Sequence, residues 1–233
     1  MEQPWAGQRE QALVIQNDVV RRVYGWMATG LMLTAIVSLF VISSPELLRF
    51  IFGNRMVFFG LVIGELGMVV ALSAAINRLS GATAILMFLV YAALNGATMA
   101  SIFLVYTGAS ISSTFFVTAG TFGAMTVYGR VTQRDLTSWG SFLFMGLVGI
   151  IIASVVNIFL KSPAVSWVVS CCGVLVFVGL TAYDTQKIKM LARMQFADRD
   201  GESRAAVLGA LTLYLDFINL FLMLLRLFGQ RRD

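Results

Sequence analysis

Seven long apolar runs, each long enough to cross a bilayer as a helix, constrain this chain more than any other feature. They fall at 24–42, 56–76, 84–106, 111–129, 139–160, 164–185 and 205–228. A hydrocarbon core roughly 30 Å thick needs about 20 apolar residues per helical span. The runs are separated by turn or charge signals: Ser43-Ser44-Pro45-Glu46, Asn77-Arg78, Thr107-Gly108, Arg130 to Asp135, and Lys161-Ser162-Pro163. A strand reading fails, because outer-membrane strands alternate apolar and polar over about ten residues. These runs are continuously apolar and twice that length, and a helix satisfies its own backbone in lipid.

Composition agrees. Of 233 residues, 58% are hydrophobic and 12% charged, against about 25% charged in soluble domains. Such a chain lacks the polar surface to face water. The predicted fold is therefore an all-α integral membrane protein with seven transmembrane helices. Residues 1–23 form a polar cytoplasmic amino-terminal segment with Arg9, Glu10, Asp18, Arg21 and Arg22, and 24–233 form the transmembrane domain. The first apolar run exceeds a signal-peptide core and no clear A-x-A site follows it, so it reads as a retained helix. Between the runs the loops are too short for a second domain.

The net charge of +5 does not point to nucleic acid, because the basic residues lie between apolar runs, as positive-inside loops do. Eleven Lys and Arg fall on the amino-terminal side of the membrane, including Arg78, Arg130, Arg134, Lys187 and Lys189, and six on the other. This places the amino terminus in the cytoplasm and the carboxyl terminus outside. Cys171 and Cys172 are adjacent within a run, are poorly placed for a disulfide, and read as small packing residues. Small residues within the spans, such as Gly64 and Gly67, Gly96 and Ala100, and Gly120 and Gly123, allow close helix approach.

There is no histidine, P-loop or dinucleotide fingerprint, so no cofactor is expected. Chemistry must come from the few ionisable residues at membrane depth, which are costly there and usually face the protein interior. Asp216 lies near the centre of the last run. Helical spacing lines up Gly209, Thr212, Asp216, Asn219, Met223 and Arg226 on one face. Asp184 closes the sixth run on a stripe with Ser166, Ser170, Gly173, Phe177 and Thr181. The two lie at different apparent depths. They meet only if the seventh helix starts below the membrane surface, or if Asp184 lies deeper because its helix continues through Gln186–Met194 with Lys187 and Lys189 snorkelling. Glu65 sits midway along the second run, at the depth of Asp216. Arg78 ends that helix, either as a partner for Asp184 or as a positive-side anchor. Each carboxyl also has a purely structural reading, as a protonated packing group or a solvated helix end. Two carboxyls sharing a buried site titrate as one unit. Losing their proton adds repulsion and frees oxygens of the kind calcium prefers.

The stretch Gly209-Ala210-Leu211-Thr212-Leu213-Tyr214-Leu215-Asp216-Phe217-Ile218-Asn219-Leu220-Phe221 closely resembles the signature of the Bax inhibitor-1 family, also called transmembrane Bax inhibitor motif proteins. The run Gly179 to Gln186, with Tyr183-Asp184, resembles that family's sixth helix. The resemblance covers all seven runs, and the short loops look like a bacterial member. It implies a seven-helix bundle with the last helix central, in a bacterial inner membrane, and a non-enzymatic, pH-sensitive calcium leak. In that reading Asp184 and Asp216 form the proton-sensing pair, and Glu65, with Thr212 and Asn219, lines the ion path. Calcium binds transiently at Asp184, Asp216 and Glu65. A gap-free match places Ile76 at the family's arginine, with Arg78 two residues later. Some bacterial relatives partner a membrane-bound quality-control protease, so a non-conducting regulator is a second reading. An intramembrane aspartyl protease is a third. Tyr183-Asp184 fits half of its motif, but Leu213 and Leu215 stand where the other half has glycines.

Overall fold

The computed structural model describes residues 4–193, 196 and 198–232, with side chains from residue 17 onward. The side chains of Arg9 and Glu10, and the extension of the sixth helix as far as Met194, fall outside the described residues. The described residues form nine α-helices: α1 Pro4–Ser43, α2 Pro45–Phe52, α3 Arg55–Ala75, α4 Gly81–Met99, α5 Ser101–Val105, α6 Gly108–Val131, α7 Thr137–Leu160, α8 Pro163–Leu191 and α9 Arg199–Phe228. The only β pairing among them is an isolated bridge between Tyr106 and Arg231.

Among the described residues, six helical stretches are long and apolar enough to cross a membrane: Asn17–Ser43, Arg55–Arg78, Gly81–Val105, Thr137–Leu160, Pro163–Leu191 and Arg199–Phe228. The expected fourth span corresponds to α6, a 24-residue helix that is not among the six. Its sequence carries seven Ser and Thr and four Gly, which lower its apolarity without breaking the helix. The fold is thus all-helical with six such spans, one fewer than the apolar runs predict. Large apolar side chains such as Ile63, Leu66, Phe116 and Phe159 are exposed, as expected where lipid replaces water.

The boundaries follow local chemistry. Asn54 Oδ1 accepts from Met56 N (2.9 Å), Ser80 Oγ from Thr83 N (3.1 Å) and Thr107 Oγ1 from Ser110 N (3.3 Å), each supplying an acceptor to a helix start. Pro45 and Pro163 stand at the first positions of α2 and α8, where a missing N–H costs nothing. Lys161 closes α7 in the left-handed region, at φ 49°. The run 84–106 is interrupted at Ala100. There Thr98 Oγ1 donates to Asn95 O (3.0 Å) and Ser101 Oγ to Thr98 O (2.8 Å), hydroxyl bonds that compete with the helical ladder. Lys187 and Lys189, counted from sequence among the loop cations, lie on α8.

The chain divides into two compact units. The first comprises Met1–Leu104 and Ile188–Tyr214, the second Val105–Lys187 and Leu215–Asp233. In the first, Gly96 brings α4 against α1: a Cβ there would lie 2.7 Å from Thr34 O and 2.9 Å from Val37 Cβ. At the end of this unit rich in charge, the Arg204 guanidinium donates to Asn77 O (3.1 Å) and Leu79 O (3.3 Å), and Arg22 pairs with Glu202 at 3.7 Å. In the second, Phe217 packs edge-on against Phe115 and Phe122, each at 5.5 Å between centroids. Of the six apolar spans, α9 is the most enclosed, with 72% of its apolar window buried against 6% in α3 and 11% in α7.

Candidate functional site

In the second unit, α8 and α9 bring Asp184 and Asp216 together. Both are buried, at 7% and 4% exposure, and their carboxyls lie within hydrogen-bonding reach of each other. Asp216 Oδ2 is fully enclosed and makes no hydrogen bond with any described group. The same two helices meet again at Gly173, where a Cβ would touch Met223 Cγ and Sδ at 2.8 Å. Contacts of 184 with 216 and 173 with 223 run in opposite directions along the chain, so the helices pack antiparallel. This settles the depth question. Helix α8 continues seven residues past Asp184 to Leu191, which sets Asp184 about 10 Å inside the helix end.

Glycine contacts hold Asp184 in place. At Gly129 of α6 a Cβ would collide with Ala182 O and lie 3.0 Å from Thr185 Cβ; at Gly140 of α7 it would lie 2.7 Å from the Tyr183 ring. One turn beyond Asp184's neighbours, Gln186 ties down the segment before α7: its Oε1 accepts from Leu136 N and its Nε2 donates to Arg134 O, both at 2.9 Å. Gln186 and the two glycines escaped the sequence reading. Their signal was only small residues inside spans and an amide next to a carboxylate.

In the first unit, Glu65 is half-buried and accepts two bonds from α4: Thr98 Oγ1 to Oε1 (2.9 Å) and Asn95 Nδ2 to Oε2 (3.4 Å). Asn95 Oδ1 in turn accepts from the Tyr214 hydroxyl at 3.0 Å. Tyr214 Oη lies 2.6 Å from Thr34 Oγ1. Sequence reasoning found Glu65 but missed Asn95, Thr98, Tyr214 and Thr34. An amide in mid-span is the kind of costly polar group that would have flagged Asn95.

The remaining candidates make local contacts or stand exposed. The Thr212 hydroxyl donates to Leu208 O (3.0 Å) and Asn219 Nδ2 to Leu215 O (2.8 Å), so both donate to their own helix. Arg78 ends the 3-10 turn after α3 and is exposed, as is Arg226. Among the described residues no three His, Cys, Asp or Glu side chains cluster to hold a metal.

The family model described as inhibitor of apoptosis-promoting Bax1 matches residues 16–233. Inner membrane protein YbhL of Escherichia coli K12 is 54% identical over 212 residues, covering 91% of each chain. An uncharacterised protein of Borreliella burgdorferi is 46% identical over 226 residues, 97% of each chain. An uncharacterised membrane protein of Streptococcus pyogenes is 36% identical over 216 residues, 92% of this chain and 93% of the relative. Together with its six apolar spans, these matches establish that this chain is a membrane protein belonging to the Bax inhibitor family.

Proposed function

We propose that this protein is a pH-sensitive calcium leak of the bacterial inner membrane, gated by the Asp184–Asp216 pair. The observation that carries the reading is the enclosed meeting of the two carboxyls, with Asp216 Oδ2 buried and without a donor. A proton held between the groups satisfies both. Removing it sets like charges at contact distance in a site of low dielectric, where they repel strongly. Helices α8 and α9 then separate, and carboxylate oxygens become available to a divalent cation. Glu65, with Thr212 and Asn219, lines the ion path, and Arg78 serves as a positive-side anchor. In this reading α6 crosses the membrane as the fourth of seven spans, its hydroxyl-bearing face turned from lipid. The amino terminus is cytoplasmic and the carboxyl terminus outside. The similarity to an inner membrane protein of Escherichia coli supports the location.

The test is calcium entry into liposomes holding the purified protein. We expect flux that differs between acid and neutral pH and loses that difference in Asp184→Asn and Asp216→Asn. Wild-type liposomes that stay tight to calcium at every pH would refute the leak and favour a regulator that binds a membrane-bound protease. A buried aspartate pair is also the core of an aspartyl protease. Cleavage of a transmembrane peptide that either substitution abolishes would favour that chemistry, against the leucines at 213 and 215.

A further inference from the structure

Within the second unit the helices fall into two pairs. Helices α7 and α8 pack antiparallel from end to end. A Cβ on Gly140 would lie 2.7 Å from the Tyr183 ring, one on Gly146 2.9 Å from Val176 Cγ2, and one on Gly179 2.6 Å from Leu143 Cδ2. Polar bonds clamp both ends. Asn157 Nδ2 donates to Ser166 Oγ at 2.7 Å, beside a connection made of Lys161 and Ser162 alone. At the other end Gln186 holds Leu136 N and Arg134 O. Helices α6 and α9 form the second antiparallel pair. Phe115 packs against Phe217 and Phe221, and Phe122 against Phe217. The chain after α9 straps this pair at the start of α6: Thr107 N donates to Gln230 O (3.0 Å), Gln230 N to Ser110 Oγ (2.8 Å) and Arg232 N to Val105 O (2.9 Å).

The aspartates lie where the two pairs meet. Asp184 belongs to α8 and Asp216 to α9, and the same seam holds the contacts of Gly173 with Met223 and of Gly129 with Ala182 O. Met223 is unbranched and adapts easily, whereas each pair is held by ring contacts and bonds at its ends. The other titratable groups on these helices stand apart from the carboxyls. Helix α7 carries none. Tyr128 and Arg130 of α6 and Arg226 of α9 are exposed, and Lys187 of α8 is exposed over the Tyr183 ring. Cys171 and Cys172 lie about three turns from Asp184. Loss of the shared proton therefore sets its repulsion directly across the seam. Gln186 carries Arg134 and Leu136 with α8, so the bend between the pairs falls to Thr132 and Gln133. We propose that α7 and α8 move as one rigid body against α6 and α9, opening along the seam that holds Asp184 and Asp216. Its use in ion passage rests on the leak reading above; the division into two bodies does not.

The experiment uses full-length protein in lipid, with Cys171 and Cys172 replaced by serine and pairs of nitroxide labels at exposed positions: Phe116 on α6, Ile151 on α7, Leu175 on α8 and Arg226 on α9. Pulsed electron resonance measures the distances at acid and neutral pH. The two distances within pairs, 151 to 175 and 116 to 226, should stay constant. The two across the seam, 116 to 175 and 226 to 175, should change by about 2 Å or more, the scale of helix shifts at packed interfaces. That change should vanish in Asp216→Asn. Distances that stay constant everywhere, or a change within a pair as large as the change across the seam, would overturn the proposal. Cross-linking reads the same division through calcium flux. A disulfide within a pair, from Asn157→Cys with Ser166→Cys, should leave flux intact. One across the seam, from Gly173→Cys with Met223→Cys, should stop it until reduced, and flux through the locked seam would count against the proposal. Unlinked liposomes that pass no calcium defeat the leak, while the label distances still decide whether the pairs move as bodies.

Discussion

The carboxyl of Asp184, seven residues before the end of α8, meets the carboxyl of Asp216 midway along α9, and both are buried. Both carboxyls are enclosed, and Oδ2 of Asp216 makes no hydrogen bond with any described group. Replacing either with asparagine puts a permanent amide where a proton was exchanged. A gate worked by one proton responds to pH by at most about tenfold per unit, and that response should vanish in both variants. Calcium flux into liposomes across a pH series measures it; an unchanged profile in both variants would remove the pair from the gate.

Gly129 allows α6 to lie against α8 just before Asp184. A methyl there meets Ala182 O and Thr185 Cβ, so Gly129→Ala should destabilise the protein by about 1–3 kcal/mol, the usual range for overpacking. Gly67 of α3 has nothing within 4 Å of its Cβ direction, and Gly67→Ala should be neutral. Thermal unfolding in detergent compares the two, and equal midpoints would contradict the packing account.

Gln186 bonds both Leu136 N and Arg134 O. In Gln186→Leu these backbone groups lose their partner, at a net cost of about 1 kcal/mol per bond. Amide hydrogen exchange at Leu136 should accelerate while that in the middle of α7 stays constant. Slow exchange retained at Leu136 would show that another group holds the segment.

Asp135 braces the first turn of α7. The Thr137 hydroxyl, and then its backbone N–H at 2.8 Å, hold the carboxyl below its ordinary value. A depressed folded-state value means that the contribution is present above the ordinary carboxylate range and is lost as pH falls through the depressed value. Protection from exchange at the start of α7, taken relative to the intrinsic rate at each pH, should therefore be flat through neutral pH and fall only in strong acid. Asp135→Ala should show the lower protection at every pH, and a wild-type loss of protection near neutrality would disagree with this assignment.

Single cysteines placed at Arg134 and at Ser162, in a background with Cys171 and Cys172 replaced by serine, test the fourth span. If α6 crosses the membrane, a reagent confined to the outside should label position 162 and spare position 134. The reverse pattern would invert the orientation. A third cysteine at Thr107 completes the test: labelling of 107 and 134 from the same side would mean that α6 does not cross.

What the sequence determined by itself was the solvent and the helices. Long apolar runs without alternation can bury themselves only in lipid, and in lipid only helices close their own hydrogen bonds, so the span positions and breaks such as Thr107-Gly108 and Ser162-Pro163 were legible in one dimension. The motif around Asp216 was legible too, because a carboxylate in mid-span is too costly to be incidental. Α6 marks the edge of that legibility, since its seven hydroxyl residues blur the apolar signal on which span reading depends. Only the tertiary structure decided which polar groups meet. The depth of Asp184 depended on where α8 ends, which Lys187 and Lys189 obscured by looking like a loop. The partners of Glu65 come from α4 and, through Tyr214 and Thr34, from α9 and α1, and no local pattern encodes a chain of bonds between residues up to 180 positions apart. Periodicity fixes the face a residue presents, whereas its partner is set by how the helices pack.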